Sequence, residues 1–461
     1  MRHLNRLVLA TLFTAPGFLQ AQSTPEIREI LNRLQKLEDA NRALNEEVRT
    51  LHEQLAIARE AASPMASAPA EVEQLQDQLA VDKARVEEMA QSKVESSQKV
   101  PIRITGMALF NAYVNGGFNG NTENTTIASL GRADATGGGT VRQSILGLQF
   151  ESPQTVFGGK FTGSVFADFF GGSAASLNHL VRLRTATVSL DWKQTSLSFG
   201  QDKPIISPRD PNSFAQVGVS PLTGAGNLWL WEPQIRVEQR FRFGTTAGLR
   251  AQVGVFQTRE IGLESTGYNF YSPAPSGSAL PPEHAQPGVE GRFEVWKQWG
   301  ENSRIEIAPG FHENPSSVGP SSIPSHLFSI DWLIKPVKFV ELTGFFYNGQ
   351  NVANLGALPQ GFMPSAYDHY HAVHSTGGWA QLRFPVTARL AFDIYGGRQD
   401  DRNTDLLRGY IGLNQAYYAN VMYRIAPNVM VSLEGGQVRT TFIGTGNRLN
   451  NHYDLAVAYL F

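Results

Sequence analysis

From Pro101 to Phe461 the chain alternates apolar and polar residues in short runs. In GVEGRFEVW, Val289, Phe293 and Val295 alternate with Glu290, Arg292 and Glu294. In QIRVEQRFRF, Ile235, Val237, Phe241 and Phe243 oppose Arg236, Glu238, Arg240 and Arg242. A period of two marks a strand with one apolar side. The last run, NHYDLAVAYLF, sorts Tyr453, Leu455, Val457, Tyr459 and Phe461 onto one face. Chain ends usually fray, so an apolar strand reaching the final residue needs a cover, either a soluble core or lipid.

The connections decide between these. Short ones (SPQT near 152, DWKQ near 191, FGTT near 243, WGEN near 299, KP at 335, PVT at 385, APN at 426) alternate with long ones. The long ones run near 119–140, 202–233, 259–287, 313–324, 349–374, 399–411 and 440–450, with a shorter GGSAAS near 171. A soluble sandwich does not sort its loops by parity, whereas an outer-membrane barrel does. The expected fold is therefore an all-β transmembrane barrel of about 16 antiparallel strands over residues 100–461, preceded by an N-terminal α-helical coiled coil. The apolar face of each strand then meets lipid and the charged face a wet lumen. Sixteen strands enclose more space than side chains fill, which predicts an aqueous channel. The glycines at 137–139 read as a flexible stretch of loop.

The pattern changes upstream of Pro101. Ile27, Leu34, Asn41, Val48 and Leu55 occupy one heptad position, and Ile30, Leu37, Leu44, Leu51 and Ala58 the other. The sustained apolar heptad predicts a coiled coil over 22–62, roughly 48 Å long at 1.5 Å per residue, with a single amphipathic helix as the alternative. Ser63, Pro64, Ser67 and Pro69 mark a linker at 63–70, and a weaker heptad continues over 71–99. Residues 1–21 read as an export signal: basic MRHLNR, apolar LVLATLF, and a small residue at Ala21. No later segment reaches the ~20 apolar residues of a membrane helix, which says nothing against strands that cross.

Composition adds exclusions. Lys+Arg is 39 and Asp+Glu 41, so bulk charge gives no reason to expect nucleic acid. There is no cysteine, which removes disulfides, thiol catalysis and thiolate metal sites.

With its dyad pattern closed by Tyr459 and Phe461, LAVAYLF resembles the C-terminal signature of bacterial outer-membrane proteins, which the outer-membrane assembly machinery reads. Together with the heptads, the chain resembles the trimeric sixteen-stranded porins, especially the DcaP-like porins with a periplasmic helical segment. The phosphate-selective porins are the second match. The resemblance implies a homotrimer in the bacterial outer membrane with its coiled coil in the periplasm. It also implies that the longest connection, QDKPIISPRDPNSFAQVGVSPLTGAGNLWLWEPQ, folds inward as the constriction, carrying Lys203, Arg209, Asp202 and Asp210.

Selectivity in such a pore comes from charged side chains at its narrowest point. The candidates are Arg236, Glu238, Arg240 and Arg242 on one strand, Glu290, Arg292 and Glu294 on another, and Arg182 and Arg184 on VRLRTATVSL, where imperfect alternation leaves the face open. Guanidinium pairs suit carboxylate or phosphate and favour an anion-leaning pore; the glutamates oppose this and favour a mixed-charge pore. His369, His371 and His374 with Asp368 fit no tight metal spacing and read as loop residues. Asp400, Asp401, Asn403 and Asp405 offer oxygens of the kind calcium takes, but lack the glycine and final glutamate of a helix–loop–helix site. No cofactor is expected. GxSxG, HExxH and the phosphate-binding loop are absent, and no Ser–His pairing stands out, so an enzyme is not expected. Two functions remain: passive diffusion of small hydrophilic solutes, or a structural anchor whose coiled coil tethers or spaces the membrane from the peptidoglycan.

Overall fold

The computed structural model describes residues 102–172, 179–257, 286–318, 321–365 and 369–461. The expected signal, both helical segments and their linker (1–99) lie outside the described residues, as does Asp368.

Sixteen strand positions form one closed antiparallel wall. They are β1 Ile102–Asn115, β2 in two pieces (Thr136–Thr140 and Ile145–Val156), β3 Gly159–Gly171 and β4 Leu180–Asp191. Next come β5 Thr195–Asp202, β6 Glu232–Phe243, β7 Ala247–Phe256 and β8 Gly288–Gln298. Then follow β9 Arg304–Asn314, β10 Ser325–Val337, β11 Val340–Gln350 and β12 His374–Pro385. The wall ends with β13 Leu390–Asp401, β14 Ile411–Ala426, β15 Val429–Phe442 and β16 Gly446–Leu460. Each strand pairs with its sequence neighbour, and β16 returns to β1 from Met107↔Leu460 to Asn115↔His452. Closure removes the unpaired strand edges that an open sheet would expose.

The terminal aromatic has its place at this seam. Phe461 exchanges backbone hydrogen bonds with Gly106, and its carbonyl accepts one from the Thr105 hydroxyl at 3.0 Å. Tyr453, Leu455, Val457, Tyr459 and Phe461 are exposed on the outside, while His452, Asp454, Ala456 and Ala458 are buried on the inside. The same inside–outside alternation recurs on β13, where Phe392 and Ile394 face out and Ala391, Asp393 and Tyr395 face in.

Three expectations differ from the structure. The glycines at 137–139 belong to a strand, paired with Ala112 to Val114. Aromatic rings of β1 lie across them: a Cβ on Gly138 would meet the Tyr113 hydroxyl at 2.8 Å. The connection near 440–450 is a three-residue turn, with Gly444 and Gly446 at positive φ. There the outward residues Thr441 and Asn447 are polar, so the apolar pattern fades while the backbone ladder continues. The expected turn at SPQT sits later, at Phe157 and Gly158, both at positive φ as a tight two-residue hairpin requires.

Candidate functional site

The inside of the barrel is organised by the segment 203–231. It leaves β5 at Asp202 and re-enters β6 at Glu232, which are register partners. In between it circles the inner wall. The Ile205 amide donates to Glu290 on β8 at 2.5 Å, and Arg209 pairs with Glu306 on β9 and Asp331 on β10. Asn212 donates to Gln381 on β12 at 2.8 Å, and its carbonyl accepts from Asn420 on β14 at 3.0 Å. Ser213 and Gln216 donate to Glu434 on β15 at 2.7 and 3.2 Å. The Phe214 carbonyl accepts from Asn111 on β1 at 2.9 Å, and the Val217 and Gly218 amides donate to Gln143 at 2.8 Å each. Gln143 reaches them from the break between the two pieces of β2. A loop bonded all the way around its barrel is fixed as part of the lumen.

The returning arm presses on the opposite wall. A Cβ on Gly226 would lie 2.3 Å from the Gly378 carbonyl oxygen, and one on Gly397 2.2 Å from that of Ala225. Only glycine permits this backbone-on-backbone approach. Two further connections join it. The Trp229 backbone amide donates to the Leu355 carbonyl at 2.8 Å, and the Ala128 amide donates to Thr440 on β15 at 2.9 Å. Ala128, Ile206, Leu222, Leu228, Leu355, Trp379 and Tyr418 belong to one buried apolar cluster. The lumen is thus not wet throughout, as expected from strand number alone. Period-two reading assigns faces only to strands, so the apolar residues of VGVSPLTGAGNLWLW and VANLGALPQGF went unassigned.

Arg182 and Arg184 both turn inward. A register irregularity leaves Arg184 between the Phe166↔Thr185 and Ala167↔Leu183 pairings. The bulge brings the two guanidiniums to the one buried carboxylate of Asp168, at 2.6 and 2.9 Å. Their remaining donors hold the loop carbonyls of Gly218 and Val217 at 2.5 and 2.8 Å, and both stack on Trp231.

The other sequence candidates divide between one ionic network around Arg292 and Glu294 and two separate pairs. Arg292 is fully buried and bonds Asp331 at 2.6 and 2.8 Å, Glu294 at 2.8 Å and Gln252 at 3.1 Å. Glu238 receives Arg240 at 2.5 Å and Arg250 at 2.8 Å. Arg236 lies 3.3 Å from Asp202, and Lys203 pairs with Asp210 within the loop. Arg242 shares the inward register of β6 but is exposed beside the 244–246 turn. Arg250, Arg304, Glu306 and Asp331 also belong to the network around Arg292 and were not singled out. The available signal was the same one: a charged residue alternating with apolar neighbours in GLRAQVGV, RIEIAP and SIDWLI.

A Ser–His–Glu relay is present after all. His312 Nδ1 lies 2.8 Å from Glu290 and Nε2 3.0 Å from the Ser325 hydroxyl. All three are buried and the Phe256 ring stacks on the imidazole at 4.7 Å, so no substrate carbonyl reaches the hydroxyl and the relay braces β8, β9 and β10. His374 bonds the Asp405 carboxylate at 2.8 Å, His371 bonds the Asp405 backbone carbonyl at 3.0 Å, and His369 lies 3.4 Å from the Ser321 hydroxyl. Asp400 pairs outward with Arg398, and its neighbour Asp401 points inward to Ser375, Gln399 and Gln360. Among the described residues, no group of three or more His, Asp or Glu is arranged to hold a metal.

No family model matches the chain, and no curated protein matches it in sequence. Among solved structures, the outer membrane channel DcaP of Acinetobacter baumannii superimposes with a TM-score of 0.60 at 14% identity, over 78% of this chain and 97% of that one. OmpT of Vibrio cholerae gives 0.46 at 11% identity, over 78% and 97%. A mutant Rh. blastica porin gives 0.43 at 10%, over 78% and 100%; these last two likenesses are too loose to argue from. The chain has the sixteen-stranded barrel fold of the DcaP channel.

Proposed function

We propose that this chain is an outer-membrane channel for passive diffusion of small hydrophilic solutes. One observation carries the reading: the barrel is inside-out relative to a soluble protein. Phe110, Phe243, Val295, Phe328, Ile394 and Tyr453 stand exposed outside, whereas Arg292, Asp331, Glu238 and Asp168 are enclosed. Such a wall is stable in lipid, where closure also satisfies every strand's backbone. The long loops then face the cell exterior and the short turns the periplasm. The segment 203–231 acts as the constriction, with Lys203, Arg209 and Asp210 on it, and the chain works as a homotrimer. Tyr459 and Phe461 serve as the assembly signal at the periplasmic rim, where aromatic girdles belong.

Most of the guanidinium charge is neutralised locally, since Arg182, Arg184, Arg209, Arg236, Arg240 and Arg292 all have carboxylate partners. This favours a mixed-charge pore with at most a weak lean toward anions, set by the exposed Arg240 and Arg242. The test is single-channel recording of the purified protein in planar bilayers under a salt gradient. Discrete conducting steps with an anion-to-cation permeability ratio of order one are expected, and a further fall in that ratio when Arg236, Arg240 and Arg242 are replaced by Gln. A silent bilayer sinks the channel reading. The apolar cluster inside the lumen favours the second function in that event, a closed barrel anchoring a periplasmic coiled coil.

A further inference from the structure

On the far side of the lumen, β15 and β16 carry two carboxylates that the channel reading does not use. Glu434 and Asp454 are register partners on the inner face, each 4% exposed. Cross-strand partners hold their Cβ atoms about 4.5–5.5 Å apart, and like charges so placed repel. Among the described residues their hydrogen-bond donors are all neutral. Ser213, Gln216 and Asn420 donate to Glu434, and Asn111 donates to one oxygen of Asp454 at 3.0 Å. The second Asp454 oxygen, Oδ2, is buried with no partner. So is Asn420 Oδ1, on a residue 5% exposed. Its own Nδ2 donates to Glu434 Oε2 at 3.0 Å, and the register sets Asn420, Glu434 and Asp454 in one row across β14, β15 and β16.

Two facing carboxylates and an orphaned carbonyl oxygen, sealed from water without a guanidinium, form an incomplete charge arrangement. We propose that Glu434, Asp454 and Asn420 bind one calcium ion. A divalent cation balances the two carboxylates. Calcium accepts carboxylate, amide and water oxygens in a flexible shell, where magnesium demands a near-ideal octahedron and transition metals favour imidazole or thiolate. The ion lies beneath residues 213–217, whose Ser213 and Gln216 share the Glu434 carboxylate, and so fastens the constriction to the wall. The site is independent of whether the barrel conducts.

The full-length protein, purified in detergent and stripped with EDTA, tests this by calcium titration in a calorimeter. Terbium luminescence gives a second readout, since the stacked Tyr395 and Tyr418 rings (5.2 Å) occupy the next inward positions on β13 and β14 and sensitise an ion held there. One site per chain is expected, with affinity reduced at least tenfold in both Glu434→Gln and Asp454→Asn. Calcium raises the unfolding temperature of the wild type and leaves these variants unmoved. No calcium uptake by the wild type overturns the proposal and leaves the carboxyls as protonated acids or hydrated groups. Uptake that survives both replacements, yet disappears in Asp400→Asn/Asp405→Asn, overturns it equally by moving the ion to the external loop. If either variant fails to fold, the Tyr395→Phe/Tyr418→Phe protein decides: loss of the sensitised terbium emission supports the site, and undiminished emission overturns it.

Discussion

Along β3 and β6 to β10, the buried carboxylates Asp168, Glu238, Glu294, Glu306 and Asp331 sit against arginine, whereas Glu290 bonds His312 and Glu232 has no arginine beside it among the described residues. Along β13 to β16, only Asp393 sits against arginine, through Arg383 at 3.0 Å. Asp401, Glu434 and Asp454 there rely on neutral amides and hydroxyls. The segment 203–231 is fastened to both sides but by different donors: Arg209 forms ion pairs on the first, whereas the neutral groups of Asn212, Ser213 and Gln216 donate to Gln381 on β12 and to Glu434 on β15. Charge pairing fixes a side chain strongly but depends on both partners. Amide bonding spreads the attachment over many weaker contacts. The two walls should therefore fail differently when single residues are removed.

The largest effect is expected at Arg292. Replacing it with Met leaves Asp331 with Arg209 alone and Glu294 with only Arg209 and Arg250, at 3.7 and 3.8 Å, and breaking a buried pair from one side costs about 3–5 kcal/mol. Urea denaturation of the detergent-folded barrel measures this as a lower midpoint. Asn420→Ala on the other wall should lose about 1–3 kcal/mol, since its carboxamide donates once to the Asn212 carbonyl and once to the Glu434 carboxylate. Equal losses would break the comparison. Arg209→Ala comes next, at about 1–3 kcal/mol, because Asp331 keeps Arg292 and Glu306 keeps Arg304. Its clearer signature is in planar bilayers, where freeing the loop from β9 and β10 raises unitary conductance and open-channel noise. Unchanged conductance would mean that the amide attachments alone set the constriction.

How much of this was legible beforehand follows from what period two can encode. It located the wall strands, because burial against lipid forces every second residue to be apolar. It also found Arg236, Arg240, Arg292 and Glu294, which interrupt apolar runs in the right phase. Arg184 lay beyond it, since a bulge reverses phase at one residue and alternation has no term for that. Ser325, His312 and Glu290 were beyond it too, because their convergence depends on the registers of three strands. The inner face of the loop was hidden for a different reason: an irregular segment takes its direction from the wall it touches.

A partly exposed pair at the long-loop rim calibrates both walls. His374 Nδ1 and backbone N–H both bond Asp405, at 2.8 and 3.1 Å, with the imidazole open to solvent. Burial alone would raise the Asp405 carboxyl. The hydrogen bonds from His374, with the charges of His374 and Arg402, outweigh it and hold the carboxyl below its ordinary value of 3.8. A depressed carboxylate stabilises the fold above its unfolded pKa and loses that contribution as pH falls through the folded one. The loss therefore belongs below pH 3.8. Solvent screens the pair, so Asp405→Asn should cost at most about 1 kcal/mol at neutral pH. The variant and wild type should converge in urea midpoint as pH drops through that window. A cost rivalling that of Arg292→Met would show that exposure, and not pairing, is the wrong axis on which to separate the two walls.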